Sequence, residues 1–97
     1  MTKALIMLRK GNAIDQATVL NKEFSIDTED LGKLKVPTRL IKTVILKNVP
    51  TFPLDVICLL KGNEMSGTVL TDPVHIESEE VGGKIDVALS KILSIVF

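Results

Sequence analysis

The chain has 97 residues, of which 45% are hydrophobic, and its formal net charge at pH 7 is zero. This length is enough for one compact domain or two very small ones, and the apolar content is enough to fill a core. The single cysteine, Cys58, excludes an intramolecular disulfide and a cysteine-based metal cluster, and its apolar neighbours predict a small buried hydrophobe. The apolar residues are mostly Val, Ile and Leu, with three Phe and no Trp or Tyr, and this composition favours strands over helices.

The N-terminal segment MTKALIMLRKGN is where a targeting sequence would lie. Its apolar run covers only residues 4–8, before Arg9 and Lys10 interrupt it. A run of this length is too short for the core of a signal peptide and far too short to span a bilayer. We therefore expect a cytoplasmic protein with no membrane partner.

Charge is distributed unevenly along the chain. Residues 1–48 contain nine basic and five acidic residues, whereas residues 49–97 contain three basic and seven acidic ones. Oppositely charged halves can attract each other within one chain or link neighbouring chains head to tail. A chance skew of solvated loop charges explains the pattern equally well.

A repeated phrase divides the chain into two units. KGN occurs at residues 10–12 and again at residues 61–63, and outward alignment gives units of 42 residues at 5–46 and 56–97. Further matches are TVL at 18–20 and 68–70 and Gly-Lys at 32–33 and 83–84. Chance supplies some matches among aliphatic residues but not two glycine turns at corresponding places, so we infer an internal duplication.

Each unit predicts five short strands, indicated by apolar runs or by alternating apolar and polar residues. In chain order they cover residues 4–8, 14–20, 24–27, 34–36 and 40–46 in the first unit and 56–60, 65–71, 74–77, 85–89 and 92–97 in the second. The apolar spacing of the last element in each unit also fits a short amphipathic helix. We prefer a strand because these stretches are short and β-branched.

Glycine and asparagine punctuate the predicted strands. The two Gly-Asn pairs suit a tight two-residue hairpin, because glycine readily adopts the positive φ that a primed turn requires. The residues that we assign to structural turns are Gly11, Asn12, Gly32, Gly62, Asn63, Gly67, Gly82 and Gly83. Pro50 and Pro53 interrupt pairing and predict an extended connector between the units.

The apolar strands predict how the two units pack. Residues 4–8 and 56–60 are apolar on both faces, which is typical of strands that are covered on both sides. A unit of 42 residues buries too little surface to be stable alone. We therefore predict an all-β fold in which a basic unit, residues 1–48, and an acidic unit, residues 49–97, pack with approximate twofold symmetry as one compact domain.

The second unit, LLKGNEMSGTVL and then GGKIDVALSKILSIVF, resembles a recurring small β-barrel module of uncharacterised bacterial proteins. The chain is similar, more loosely, to the Sm-like and SH3-like barrels. This resemblance implies five bent strands in each unit, arranged as two small barrels or one fused sandwich. The uridine-reading residues of the Sm family do not carry over, because Ile76 stands four positions after Asp72, where that family has Asn.

Basic residues near the end of the first unit form the candidate binding patch. They are Lys33, Lys35, Arg39, Lys42 and Lys47. Such a stripe can neutralise nucleic-acid phosphates or meet an acidic protein partner. No exposed aromatic residues interleave to stack on bases, so a protein partner fits the pattern better.

The sequence contains no phosphate-binding glycine loop and no nucleophile–base signature. We therefore predict no catalytic residue, metal or cofactor. The expected function is that of a non-enzymatic protein-interaction or assembly module, which uses sheet edges and the apolar first and last strands. Its expected partner is a second copy or another protein, and nucleic-acid binding through the basic first unit is the alternative.

Overall fold

The computed structural model of the chain describes residues 2–51 and 53–97, which form ten antiparallel strands in one curled sheet. The strands are β1 (Thr2–Leu8), β2 (Ala13–Val19), β3 (Glu23–Thr28), β4 (Gly32–Pro37), β5 (Ile41–Ile45), β6 (Asp55–Leu59), β7 (Glu64–Val69), β8 (Val74–Ser78), β9 (Gly83–Val87) and β10 (Ile92–Val96). The predicted all-β class is confirmed. Phe52, within the predicted connector, lies outside the described residues.

Three short 3₁₀ helices link strands at Thr38–Leu40, Glu79–Val81 and Leu89–Lys91. Two of them bend the chain between the fourth and fifth strand of each predicted unit. Leu40 and Leu89, predicted within strands, therefore lie in these helical turns. The residues that follow each turn are extended, so β5 and β10 are strands and the helical alternative is wrong for them.

The strand order across the sheet is β4-β3-β7-β6-β5-β10-β1-β2-β8-β9. Five pairs of consecutive strands lie side by side, whereas β3 pairs with β7, β2 pairs with β8, and β10 pairs with both β5 and β1. The four strands at the centre are β6, β5, β10 and β1, and they include the two strands, β1 and β6, whose sequences are apolar on both faces. Strands from residues 1–48 and 49–97 thus alternate within one sheet, and β4 and β9 form its edges.

The concave face of the sheet carries the hydrophobic core. Alternation along each strand places every second residue on this face. The largest fully buried side chains are Phe24, Ile6, Ile26, Ile41, Ile57, Ile76, Ile92, Ile95, Val44 and Val74. Full burial of each such side chain contributes roughly 1.5–3 kcal/mol of transfer free energy, so this shared core couples all ten strands.

The KGN segments complete three-residue hairpin loops, residues 9–11 and 60–62, rather than the predicted two-residue Gly-Asn turns. Leu8 O accepts a hydrogen bond from Gly11 N at 3.0 Å, and Leu8 N donates to Asn12 O at 2.8 Å. Gly11 has φ +96°, the left-handed conformation needed at the last position of such a loop. Asn12 therefore closes the hairpin, and Asn63 does the same after Gly62.

Gly67 lies inside β7, not in a turn as predicted. A Cβ placed on Gly67 would overlap the backbone carbonyl oxygen of Asp27 on β3. The glycine is required because the two backbones approach too closely for any side chain. The other predicted turn glycines, Gly32, Gly82 and Gly83, lie at the β3–β4 and β8–β9 connections with positive φ.

The first unit has one residue more than the second between its KGN and TVL segments, and this extra residue forms a bulge in β2. The register between β1 and β2 shifts between Ala4 and Ile6, and Gln16 adopts φ +54°. Ala17, which pairs with Ala4 as Gly67 pairs with Asp55, is therefore the counterpart of Gly67, and Gln16 lies in the bulge with a left-handed backbone. The Gln16 N–H donates to Asp15 Oδ1 at 2.8 Å.

Candidate functional site

The convex side of the four central strands carries two cross-strand rows of side chains. Directly paired residues in an antiparallel sheet point to the same face, so the register defines these rows. The first row is Leu5, Val96, Thr43 and Cys58, and the second is Met7, Ser94, Ile45 and Val56. Their strand neighbours Ala4, Ile6, Val44, Ile57 and Ile95 are buried in the core. We call the eight residues of the two rows the central face.

The central face is apolar and uncharged. It comprises five aliphatic or thioether side chains, one thiol and two small hydroxyl groups. Val96 is 42% exposed, and the other seven residues are half-buried. Four strands about 4.8 Å apart and rows about 7 Å apart give a patch of a few hundred Å². A patch of this size is comparable to the largest apolar patch on a typical monomeric protein, which is often functional.

Charged residues border the central face along its first row, where the Lys42 ammonium lies near Cys58 and a carboxylate lies at each end. Glu64 pairs with Cys58 and is exposed. At the other end, the β2 bulge leaves two exposed residues, Asp15 and Gln16, opposite Leu5. The second row ends instead in uncharged residues, Ser66 next to Val56 and Ala13 next to Met7.

Cys58 is predicted to be a small buried hydrophobe, but its thiol is half-buried on the central face. It donates a hydrogen bond to Glu64 Oε2 at 3.6 Å. Burial raises the pKa of the Cys58 thiol, the hydrogen bond and negative charge of Glu64 raise it further, and the nearby Lys42 ammonium opposes them. The thiol is therefore less reactive at neutral pH than a free cysteine.

The predicted basic patch is spread over several elements. Lys33 and Lys35 lie on the edge strand β4, where Lys33 faces Asp27 and Lys35 Nζ lies 3.8 Å from Glu23 Oε1. The remaining three residues lie on the 3₁₀ helix, on β5 and just beyond β5: Arg39, Lys42 and Lys47. Lysines on an exposed edge also discourage pairing with another strand. The acidic neighbours weaken the positive field that nucleic-acid binding requires.

The strand order also redistributes the charge asymmetry of the sequence. Residues 23–69 form the half of the sheet from β4 to β5, and the remaining residues form the other half. Each half contains six basic and six acidic residues. The positive excess of residues 1–48 is therefore divided between two neutral halves, and no basic lobe faces an acidic one.

An open cleft of about 760 Å³ lies between the β2 bulge and the β8–β9 connection. It is lined by Lys3, Asp15, Gln16, Thr18, Glu77, Ser78, Glu79, Glu80, Gly82 and Gly83. Its acidic residues include the cluster before Gly82. Within residues 2–51 and 53–97, no three His, Cys, Asp or Glu side chains converge as metal ligands.

The single histidine lies on the convex side of β8. His75 Nδ1 is 2.6 Å from Asp86 Oδ1, its cross-strand partner on β9, and both side chains are about half exposed. Ser78 is buried instead, and its Oγ accepts a hydrogen bond from Glu80 N. The structure therefore does not bring this serine and histidine together as a nucleophile and base.

Asp55 is a structural residue that sequence patterns did not reveal. Its buried carboxylate accepts hydrogen bonds from Lys47 N at 2.7 Å and from Val69 N at 2.8 Å. These bonds join the start of β6 to the end of β7 and to the segment after β5. A single Asp before an apolar run carries no periodic signal, and the corresponding residue of the first unit is Ala4.

Comparison with protein-family models, with curated proteins and with solved structures finds no match to this chain. The resemblance to small bacterial barrel modules therefore stays a prediction. Within the described residues, no helix has the length and apolar character to cross a membrane. The central face, defined by its own geometry, is the best supported candidate functional site.

Proposed function

We propose that this chain is a non-enzymatic protein-interaction or assembly module that associates through the central face. The observation that carries the proposal is the pair of uninterrupted, uncharged rows on the convex side of β6, β5, β10 and β1. Water contacts these side chains in the monomer, and a partner that covers them gains about 25 cal/mol for each Å² of apolar surface removed from water.

We also infer that the sheet arose from a duplicated five-stranded unit of SH3-like or Sm-like type. Strand order supports this. If each strand is exchanged for the strand five places away in the chain, such as β4 for β9, the result is the same order read from the opposite edge of the sheet. Each half of the sheet then combines the first hairpin of one unit with the last three strands of the other. The order within each half is 5-1-2-3-4, counted along the unit.

Matching backbone hydrogen bonds give further support for the duplication. Leu20 N donates to His75 O, and Leu70 N donates to Ser25 O, both at 2.8 Å. Leu46 N donates to Leu93 O, and Phe97 N to Lys42 O, both at 3.0 Å. The donors and acceptors of each pair occupy corresponding positions in the two units. Both pairs join one unit to the other, which fits units that exchanged their first hairpins.

The test is the sedimentation of the purified chain over a wide range of concentration. We expect reversible association, and we expect Val96→Lys to abolish it because a lysine at the centre of the first row cannot be buried without a partner charge. Leu31→Lys is the matched control, since Leu31 is 70% exposed and lies at the β3–β4 connection, outside the central face. A monomer at all concentrations contradicts self-association.

A further inference from the structure

We propose that the partner of the central face is a second copy of this chain, packed so that the first row of each copy lies over the second row of the other. This inference rests on the proposed function. It adds the identity of the partner and the residue pairs that meet. The resulting dimer is a sandwich of two convex faces.

Charge favours a second copy as the occupant. The net charge is zero, and each half of the sheet carries six basic and six acidic residues. Two copies therefore approach without long-range repulsion, and neutral proteins associate with themselves more readily than charged ones. The face itself holds no charge that would select an acidic or basic partner.

The pattern of the central face also repeats within the face. Exchanging the two units replaces Leu5 by Val56 and Met7 by Cys58, and it likewise exchanges Thr43 with Ser94 and Ile45 with Val96. The face thus looks similar after half a turn about the sheet normal. Both twofold face-to-face arrangements of two copies therefore bring similar side chains together, and each closes as a dimer.

The size of the face predicts a weak dimer. Stable interfaces bury about 800 Å² on each partner, whereas the central face offers a few hundred Å². Contacts from its polar border enlarge the interface but contribute little free energy. We therefore expect association that depends on concentration rather than a permanent dimer.

Two face-to-face arrangements preserve twofold symmetry with strands aligned. If the twofold axis runs along the strands, the first row of one copy lies over the first row of the other in reverse order. Asp15 of one copy then lies over Glu64 of the other. If the axis runs across the strands, the two rows exchange. Asp15 then lies over Ala13 and Glu64 over Ser66.

The border charges select the second arrangement. Juxtaposed carboxylates at both ends of the first row oppose the first arrangement, because like charges across an interface are destabilising. In the second arrangement each carboxylate faces a small uncharged residue. Cys58 of one copy then lies over Val56 of the other, and Leu5 lies over Met7.

Charge rescue between mixed variants tests this geometry. Val56→Lys and Cys58→Asp each place an unpaired charge in the interface and should weaken association at least about tenfold. An equimolar mixture of the two variants should associate within a few-fold of the wild type, because the introduced ammonium of one copy meets the introduced carboxylate of the other. Sedimentation of each variant and of the mixture is the measurement, with circular dichroism to confirm that each variant is folded. Leu5→Lys mixed with Cys58→Asp is the matched control and should show no rescue.

Each outcome is decisive. Rescue by the Leu5→Lys mixture instead of the Val56→Lys mixture establishes the other arrangement and overturns this one. Association of the wild type with no rescue in either mixture overturns the face-to-face dimer but leaves an interaction module. A wild type that stays monomeric at every concentration contradicts self-association itself. Association without rescue contradicts only the face-to-face geometry, so the two results can be distinguished.

Discussion

The ring of Phe97 meets the ring of Phe24 edge-on, with centroids 6.4 Å apart and planes inclined by 78°. Phe24 is fully buried on β3, whereas Phe97 follows β10 and is half-buried. The contact joins residues from the two predicted units, as do the pairings of β3 with β7 and of β2 with β8. The two units therefore share one core.

Removal of the Phe97 ring tests this shared core. Phe97→Ala should lower the free energy of unfolding by about 2 kcal/mol, less than for a fully buried ring because Phe97 is half exposed. Phe97→Leu, which keeps most of the apolar volume, should cost about 1 kcal/mol. Urea denaturation followed by circular dichroism measures both. A single two-state transition is expected, and an unchanged midpoint for Phe97→Ala would contradict the contact.

Gly67 and Gln16 should respond in opposite ways to substitution, because Gly67 lies against a neighbouring backbone whereas Gln16 has a left-handed backbone. Gly67→Ala forces a methyl group against the Asp27 carbonyl and should destabilise the fold by about 1–3 kcal/mol. Gln16→Gly relieves a left-handed backbone and should be neutral or stabilising by about 1 kcal/mol. Thermal unfolding of the two variants checks this asymmetry, and equal losses of stability would contradict it.

Asp55→Ala should be among the most damaging single polar substitutions in the chain. It leaves the Lys47 and Val69 N–H groups without their acceptor, at a cost of about 2–4 kcal/mol. Asp72→Ala is the matched control, because Asp72 accepts a single bond from Leu89 N and is exposed. Its loss should be about 1 kcal/mol or less. Similar values for the two variants in chemical denaturation would refute the bridging role of Asp55.

The reactivity of Cys58 should depend on pH through Glu64. Because burial and Glu64 raise the pKa of the thiol, its rate of alkylation should reach half its maximum at a higher pH than that of an exposed cysteine. Glu64→Gln should move this midpoint to lower pH but not restore it fully, since burial remains. Iodoacetamide kinetics on dilute protein measure the midpoint. A midpoint that moves upward in Glu64→Gln is the contrary result.

The strands could be predicted from the sequence because their signals are local. Alternation at Phe24 and Ile26 and the apolar run at residues 4–8 identify elements without reference to the rest of the chain. The pairing of β3 with β7 could not be predicted, because it depends on which distant strand offers a close-fitting backbone. Gly67 permits that fit, yet a glycine within an apolar stretch equally suggests a turn.

The candidate site was only partly predictable for the same reason. Apolar residues on both faces of β1 and β6 indicated a covered surface, and the structure places these strands around β5 and β10 at the centre of the sheet. Which face remains open depends on the curl of the whole sheet. Likewise, Lys33 lies opposite Asp27 and Lys35 reaches Glu23 only because β3 and β4 pair in one register, so two of the five basic residues have acidic neighbours.

The rate of Cys58 alkylation as a function of protein concentration tests the central claim most directly, because Cys58 reports on the central face itself. We predict that the rate falls as the concentration rises, in step with the mass measured by sedimentation. The same rate in Val96→Lys should not depend on concentration. Association of the wild type with no change in the alkylation rate would contradict the claim, since the copies would then meet through another surface.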